Sequence, residues 1–237
     1  TSQYTLSLHD ALPISFGPLG TPAYRDYATH ILDSGQHLLQ LINDVLDVTR
    51  LQMNTLQVQP ERFDIRDFVR KTAEQFGPTA QQAGVTVVAE CVQAERLTAD
   101  KRLLRQLLSN LIGNAIKFSP PSTTVEVLGE ATGDGGYALR IRDEGPGIPE
   151  EARQRLLQAF QQGDDTLARR HDGLGLGLYI ARGIAEAHGG HLDIGTAPGG
   201  GAEMIAYLPA LCREAVRSDG ACEMAADDNA DLGATGV

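Results

Sequence analysis

Asn110, Asn114 and Lys117 stand in the run Asn110-Leu-Ile-Gly-Asn-Ala-Ile-Lys117-Phe118. On a helix, spacings of four and three put all three side chains on one face. Two carboxamide oxygens there can serve a hard cation such as Mg²⁺, and an ammonium beside them can hold a phosphate. An ordinary solvated helix face would show the same residues. A second cluster, Asp143-Glu144-Gly145-Pro146-Gly147, follows the expected strand Tyr137–Arg142. Its glycines let the backbone approach a flat ligand, and a carboxylate at a strand end can accept a hydrogen bond from an exocyclic amine. A plain tight turn is the alternative. The third cluster is Gly173-Leu-Gly175-Leu-Gly177-Leu178, preceded by Arg169 and Arg170. Glycines opening a helix make a phosphate cradle from free N–H groups and the helix dipole. The run lacks the Gly-Lys-Ser/Thr ending of a Walker A loop, and its spacing is not that of the dinucleotide fingerprint.

The elements that must hold these clusters follow from periodicity. Tyr24, Tyr27, Ile31, Ser34, Leu38, Leu41, Val45 and Val48 recur in steps of three and four, a heptad seam. Ile42 and Leu46 widen it, which suits a four-helix bundle, and the helix is expected to run to about Met53. Beyond Glu61 the pattern turns mixed. A short strand is expected at Phe63–Ile65 and a helix at Asp67–Ala83 ended by Gly84. A strand follows at Val85–Glu90, then a helix capped by Asp100 and running to Phe118. Thr124–Ala131 and Tyr137–Arg142 read as a hairpin. Pro149–Phe160 and Gly173–His188 read as helices, and His191–Gly195 and Glu203–Leu208 as strands. Gln161–Asp172 reads as a loop.

The chain has 237 residues and a net charge of −11. That charge argues against a nucleic-acid partner, which needs a basic footprint. No apolar run is long enough for a membrane span, and no signal peptide is evident. Cys91, Cys212 and Cys222 match no metal spacing and fit free thiols in a reducing compartment. Residues 210–237 carry six acidic and two basic residues and few large apolar ones, so this acidic tail is expected to be disordered.

Taken together and in this order, the clusters resemble the nucleotide-binding domain of sensor histidine kinases, in the wider family that also holds gyrase, Hsp90 and MutL. Asn110, Asn114 and Lys117 match its N box. Asp143, Gly145 and Gly147 match the first glycine box, Phe160 the aromatic at the start of the lid, and Gly173, Gly175 and Gly177 the second glycine box. His188-Gly-Gly-His-Leu192 and the strand ending Leu208-Pro209 are similar to the closing hairpin. The resemblance covers roughly 61–209. It implies an α+β fold, a two-layer α/β sandwich of the Bergerat ATP-binding type, preceded by a helix from a dimerisation bundle. It implies ATP and Mg²⁺ as cofactors, with Asp143 reading adenine and Asn114 holding Mg²⁺. Asn110 would stand near the phosphates, and Lys117 and Arg170 would contact them. The hydrolysing relatives have a glutamate where this chain has Asn110, and an amide cannot act as a general base. The expected reaction is therefore phosphoryl transfer to a histidine, then to an aspartate of a response-regulator receiver domain.

Residues 23–56 are similar to the second helix of the kinase dimerisation hairpin, which implies a homodimer in the complete protein. The preceding helix should carry a His-Glu/Asp-Leu-Arg-Thr-Pro motif. His9-Asp-Ala-Leu-Pro13 departs from it: the arginine is missing and the proline is one place too close. His9 is therefore not read as the phosphoacceptor. Residues 1–22 are read as irregular, and 1–15 as foreign to the fold. His30 and His37 are read as surface helix residues, His171 as a possible phosphate contact in the lid, and His188 and His191 as structural. Two alternatives stay open: a nucleotide-binding regulatory module that transfers nothing, and, less well supported, a gyrase-type ATPase. The segment is expected in the cytoplasm, in a protein that could as a whole be membrane-associated.

Overall fold

The computed structural model describes residues 22–53, 55–91, 96–159, 175–209 and 213–214. Helix α1 spans Pro22–Gln52. Its proline lies in the first turn, where no intrahelical N–H is needed. Strand β1 (Glu61–Asp64) leads directly into α2 (Ile65–Glu74), because the Asp64 carboxylate accepts the Asp67 N–H at 2.9 Å and caps the helix. Ile65 therefore begins a helix rather than ending a strand. The single helix expected over 67–83 is two. Helix α3 (Gly77–Ala83) starts afresh at Gly77-Pro78, since a proline cannot continue the ladder of α2. Gly84 closes α3 in the left-handed conformation at φ +70°.

Two sheets follow. The larger has the order β2-β4-β5-β7-β6, from Thr86–Cys91, Thr124–Ala131, Tyr137–Arg142, Ala202–Leu208 and His191–Thr196. Strand β2 runs parallel to β4 with Thr86 opposite Thr124, and the other neighbours are antiparallel. The parallel pair needs a crossover. It is supplied by β3 (Arg96–Ala99) and α4 (Lys101–Phe118). Strand β3 was not expected. It pairs with β1 (Glu61 opposite Ala99) and with β8 (Arg213–Glu214) to form a second sheet of three strands.

Helices lie on one face of the large sheet. Leu103, Leu104, Leu107, Leu108, Leu111 and Ile112 of α4 are at most 1% exposed, packed in one core with Val125, Val127, Leu139 and Ile141 of the sheet. The alternate residues of the strands carry an ion-pair lattice on the opposite face. Arg142 Nε meets Glu203 Oε1 at 2.6 Å, Arg140 reaches the same oxygen at 3.6 Å, and Arg140 also pairs with Glu130. Helix α5 covers Glu150–Leu156, shorter than expected, and α6 covers Gly177–Ala187, beginning four residues after Gly173. Among the described residues, no helix is long and apolar enough to cross a membrane.

Candidate functional site

Helix α4 is fixed first, since it carries the site. Asp100 caps it: Oδ1 accepts the N–H groups of Arg102 and Leu103 at 3.0 Å each, and Oδ2 accepts that of Gln59 at 3.0 Å. Burial raises the carboxyl's pKa, but these amides and Arg102 outweigh it and hold the group below its ordinary value. Buried His188 ties the end of α6 to this cap. Its Nδ1–H donates to Ile184 O at 2.8 Å, which leaves Nε2 to accept the Asp100 N–H at 3.0 Å. The structural reading of His188 fits this geometry.

With the leucine face of α4 in the core, Asn110, Asn114 and Lys117 come to the other side, each half-buried. Asn110 Nδ2 is a buried donor with no partner among the described residues, which is costly unless a ligand takes it. Gly177 stands against it: a Cβ there would lie 3.7 Å from Asn110 Cβ, Cγ and Oδ1. Gly175 precedes α6 in the left-handed region at φ +69°. The structure thus brings the N-terminus of α6 onto the amide face of α4.

Asp143 lies at the end of β5 and is 7% exposed. Its Oδ1 accepts two backbone N–H groups, from Gly145 at 2.9 Å and Ala202 at 3.0 Å. With Oδ1 so held, Oδ2 is the oxygen available to a ligand. The turn is packed backbone against backbone. A Cβ on Gly145 would stand 2.8 Å from Phe118 O, and one on Gly147 (φ +73°) 3.2 Å from Gly201 O. A Cβ on Gly201 would stand 2.0 Å from Asp143 O. The second cluster therefore meets the end of α4, where Phe118 exposes 42% of its surface and Lys117 Nζ lies 5.5 Å from its ring centroid.

Sequence reasoning missed two of these participants. Gly201 closes the glycine run 199–201, a turn signal that was readable but not tied to Asp143. Phe118 reads in the sequence as the end of a helix, although it directly follows Lys117. Phe160, Arg170, Gly173, His171, the lid 161–172 and His9 lie outside the described residues.

A family model, the histidine kinase-, DNA gyrase B-, and HSP90-like ATPase, matches residues 99–211. Those residues are an ATPase domain of that family. The match spans α4, both described glycine turns and the last hairpin. Several relatives are named as histidine kinases. The chain is 35% identical over 198 residues to the circadian input-output histidine kinase CikA of Synechococcus elongatus, covering 82% of this chain and 26% of that protein. It is 36% identical over 197 residues to the histidine protein kinase DivJ of Caulobacter vibrioides, covering 83% and 32%. The chain thus spans about a quarter to a third of these relatives. Full-length ShkA in complex with AMPPNP superposes with a TM-score of 0.70 at 33% identity, over 81% of this chain and 40% of that one. Acinetobacter baumannii AdeS, at 23% identity and a TM-score of 0.63, shares the fold. The α+β architecture expected from the sequence holds.

Proposed function

We propose that the chain binds Mg-ATP between α4, the Asp143 turn and the start of α6, and transfers the γ-phosphoryl group to a histidine of a bundle helix. The observation that supports this reading is the packing of Gly145 against Phe118 O, which sets the Asp143 turn against the end of the helix that carries Asn110, Asn114 and Lys117. Asp143 Oδ2 would accept the adenine amine, and the exposed Phe118 ring offers a flat surface beside it. Asn110 would satisfy its buried donor on a phosphate oxygen. Lys117 and the N–H groups at the start of α6 would hold the remaining phosphate charge. Phe160, Arg170, Gly173, Gly175 and Gly177 would complete the enclosure. The carboxamides of Asn114 and Asn110 fit Mg²⁺ as neutral oxygen donors, which suits an ion whose other ligands are phosphates and water; when bound, the ion would neutralise the charge on the transferring group. Asn110 cannot take a proton from water, so the pocket favours transfer over hydrolysis.

In this reading residues 61–209 are the catalytic domain and 23–56 belong to a dimerisation hairpin. Tyr27, Ile31, Leu38, Leu39, Ile42 and Val45 are among the residues that α1 leaves exposed, the face that a homodimer would bury. The phosphohistidine would pass its group to a receiver-domain aspartate, in the cytoplasm. The test is label transfer from γ-labelled ATP, with the chain alone and with an added histidine-bearing hairpin. Acid-labile label on the hairpin only is the expected result. Nucleotide binding without label on a hairpin shown to dock would establish the regulatory module instead.

A further inference from the structure

Gly183 sits in the middle of α6. A glycine there weakens a helix and asks for a packing reason. A Cβ on Gly183 would stand 2.5 and 2.6 Å from the two methyl carbons of Leu51 and 3.1 Å from its Cγ. Leu51 of α1 therefore fills a notch that exists because residue 183 has no side chain. One turn earlier on α1, Val48 is 3% exposed. Beside it, Asp47 Oδ2 accepts a hydrogen bond of 2.5 Å from Gln106 Nε2 of α4. Gln106 precedes Asn110 by one helical turn, on the same stripe of α4. Gly183 follows Gly177 on the helix whose first residue faces Asn110. The end of α1 is thus gripped by the two helices that carry Asn110 and Gly177 of the proposed nucleotide site, at residues that are not part of that site.

We propose that the Gly183 notch and Gln106 form a docking site for the end of a bundle helix, filled in this chain by Leu51 and Asp47. Its engagement sets where the helix stands relative to the nucleotide. Gly183 and Leu51 are positioning residues: neither lines the nucleotide pocket. The consequence for phosphoryl transfer rests on the ATP-binding reading; the existence of the dock does not. Since the site accepts one helix end, an acceptor hairpin from outside competes with α1 for it.

Four chains test this: wild type, Leu51→Ala, Gly183→Ala and the double variant. The first readout is hydrogen exchange of the α1 amides 44–51 without nucleotide. Either single variant releases the helix end, and exchange there is expected to rise about tenfold. In the Leu51→Ala background, adding Gly183→Ala is expected to change nothing further, because the new methyl meets no leucine. The second readout is labelling of an added hairpin whose second helix is residues 22–53 of this chain, preceded by a histidine helix of a relative. Leu51→Ala frees the notch and speeds labelling; Gly183→Ala fills it and slows labelling; the KM for ATP stays at the wild-type value in both. Equal acceleration of exchange by Gly183→Ala in both backgrounds would overturn the proposal, as would a raised KM in that variant. So would slower or unchanged labelling with Leu51→Ala. Failure of wild type to bind ATP would instead sink the functional reading, and the exchange result would stand by itself.

Discussion

At the scale of residues, the site separates what holds it from what reads a ligand. In the proposed site Asp143 would do both with different oxygens. Asp143→Asn keeps a carbonyl oxygen for the Gly145 and Ala202 amides, but puts an NH₂ where Oδ2 would accept from adenine. A hydrogen bond to a charged group contributes about 1.5–3 kcal/mol. Binding of a fluorescent ATP analogue is therefore expected to weaken about 10- to 100-fold, with the melting temperature near wild type. Unweakened binding would remove Asp143 from adenine recognition. Asn110 makes the opposite separation. Its buried Nδ2 has no partner among the described residues, so the ligand-free fold carries a desolvation cost of about 1–3 kcal/mol there. Asn110→Leu, close in volume, is expected to leave urea stability equal or higher while abolishing label transfer. A clear loss of stability would show that the amide serves the fold rather than the phosphates. Gly201→Ala attacks the support directly. Its Cβ would meet Asp143 O at 2.0 Å, on a residue at φ +82°, and both stability and ATP-analogue binding are expected to fall.

At the scale of elements, the cap of α4 is the joint on which the site depends, and it titrates. Amide hydrogen bonds and Arg102 outweigh burial and depress the folded-state pKa of Asp100 from its ordinary value of 3.8. A depressed carboxylate stabilises the fold above the unfolded value, and loses that contribution as pH falls through the folded one. Replacing an N-cap aspartate costs about 0.5–2 kcal/mol. The difference in urea stability between wild type and Asp100→Ala should thus be full near neutrality and shrink below 3.8. A difference that did not change with pH would show that the carboxylate charge contributes nothing.

Asp100 was legible from the sequence because a cap is a local device: an acceptor just before an apolar run. The leucine face of α4, the hairpin around β4 and β5 and the Gly84 stop were legible for the same reason. Strand β3 was not, because Arg96–Ala99 owes its pairing to β1, more than thirty residues away. The break before α3 is readable in Gly77-Pro78, where a proline cannot continue the preceding helix. In the site, residue types and order were readable for the clusters, and their convergence was not. Nothing local tells that Gly201 packs on Asp143 or that Gly145 rests against the end of α4.

At the scale of the whole molecule, α1 is a helix with two different faces. Toward its end, Val48 and Leu51 turn to the ATPase domain. Along its length Ile31, Leu38 and Val45, seven residues apart, lie 65%, 58% and 41% exposed, with Leu32, Leu39 and Leu46 beside them at 59%, 62% and 48%. A stripe of that length and spacing is not left to water in a stable helix, because helical stability comes chiefly from packing an apolar face. The two faces do not compete, so the contact with the ATPase domain is compatible with the proposed bundle. Leu38→Glu with Val45→Glu puts two carboxylates in the seam and none near Leu51. Sedimentation equilibrium is expected to show dimers for wild type and monomers for this pair, with ATP-analogue affinity unchanged. Wild-type monomers at concentrations of tens of micromolar would show that residues 22–53 do not suffice for association. Loss of nucleotide affinity in the monomer would show that the bundle, and not the ATPase domain alone, shapes the pocket.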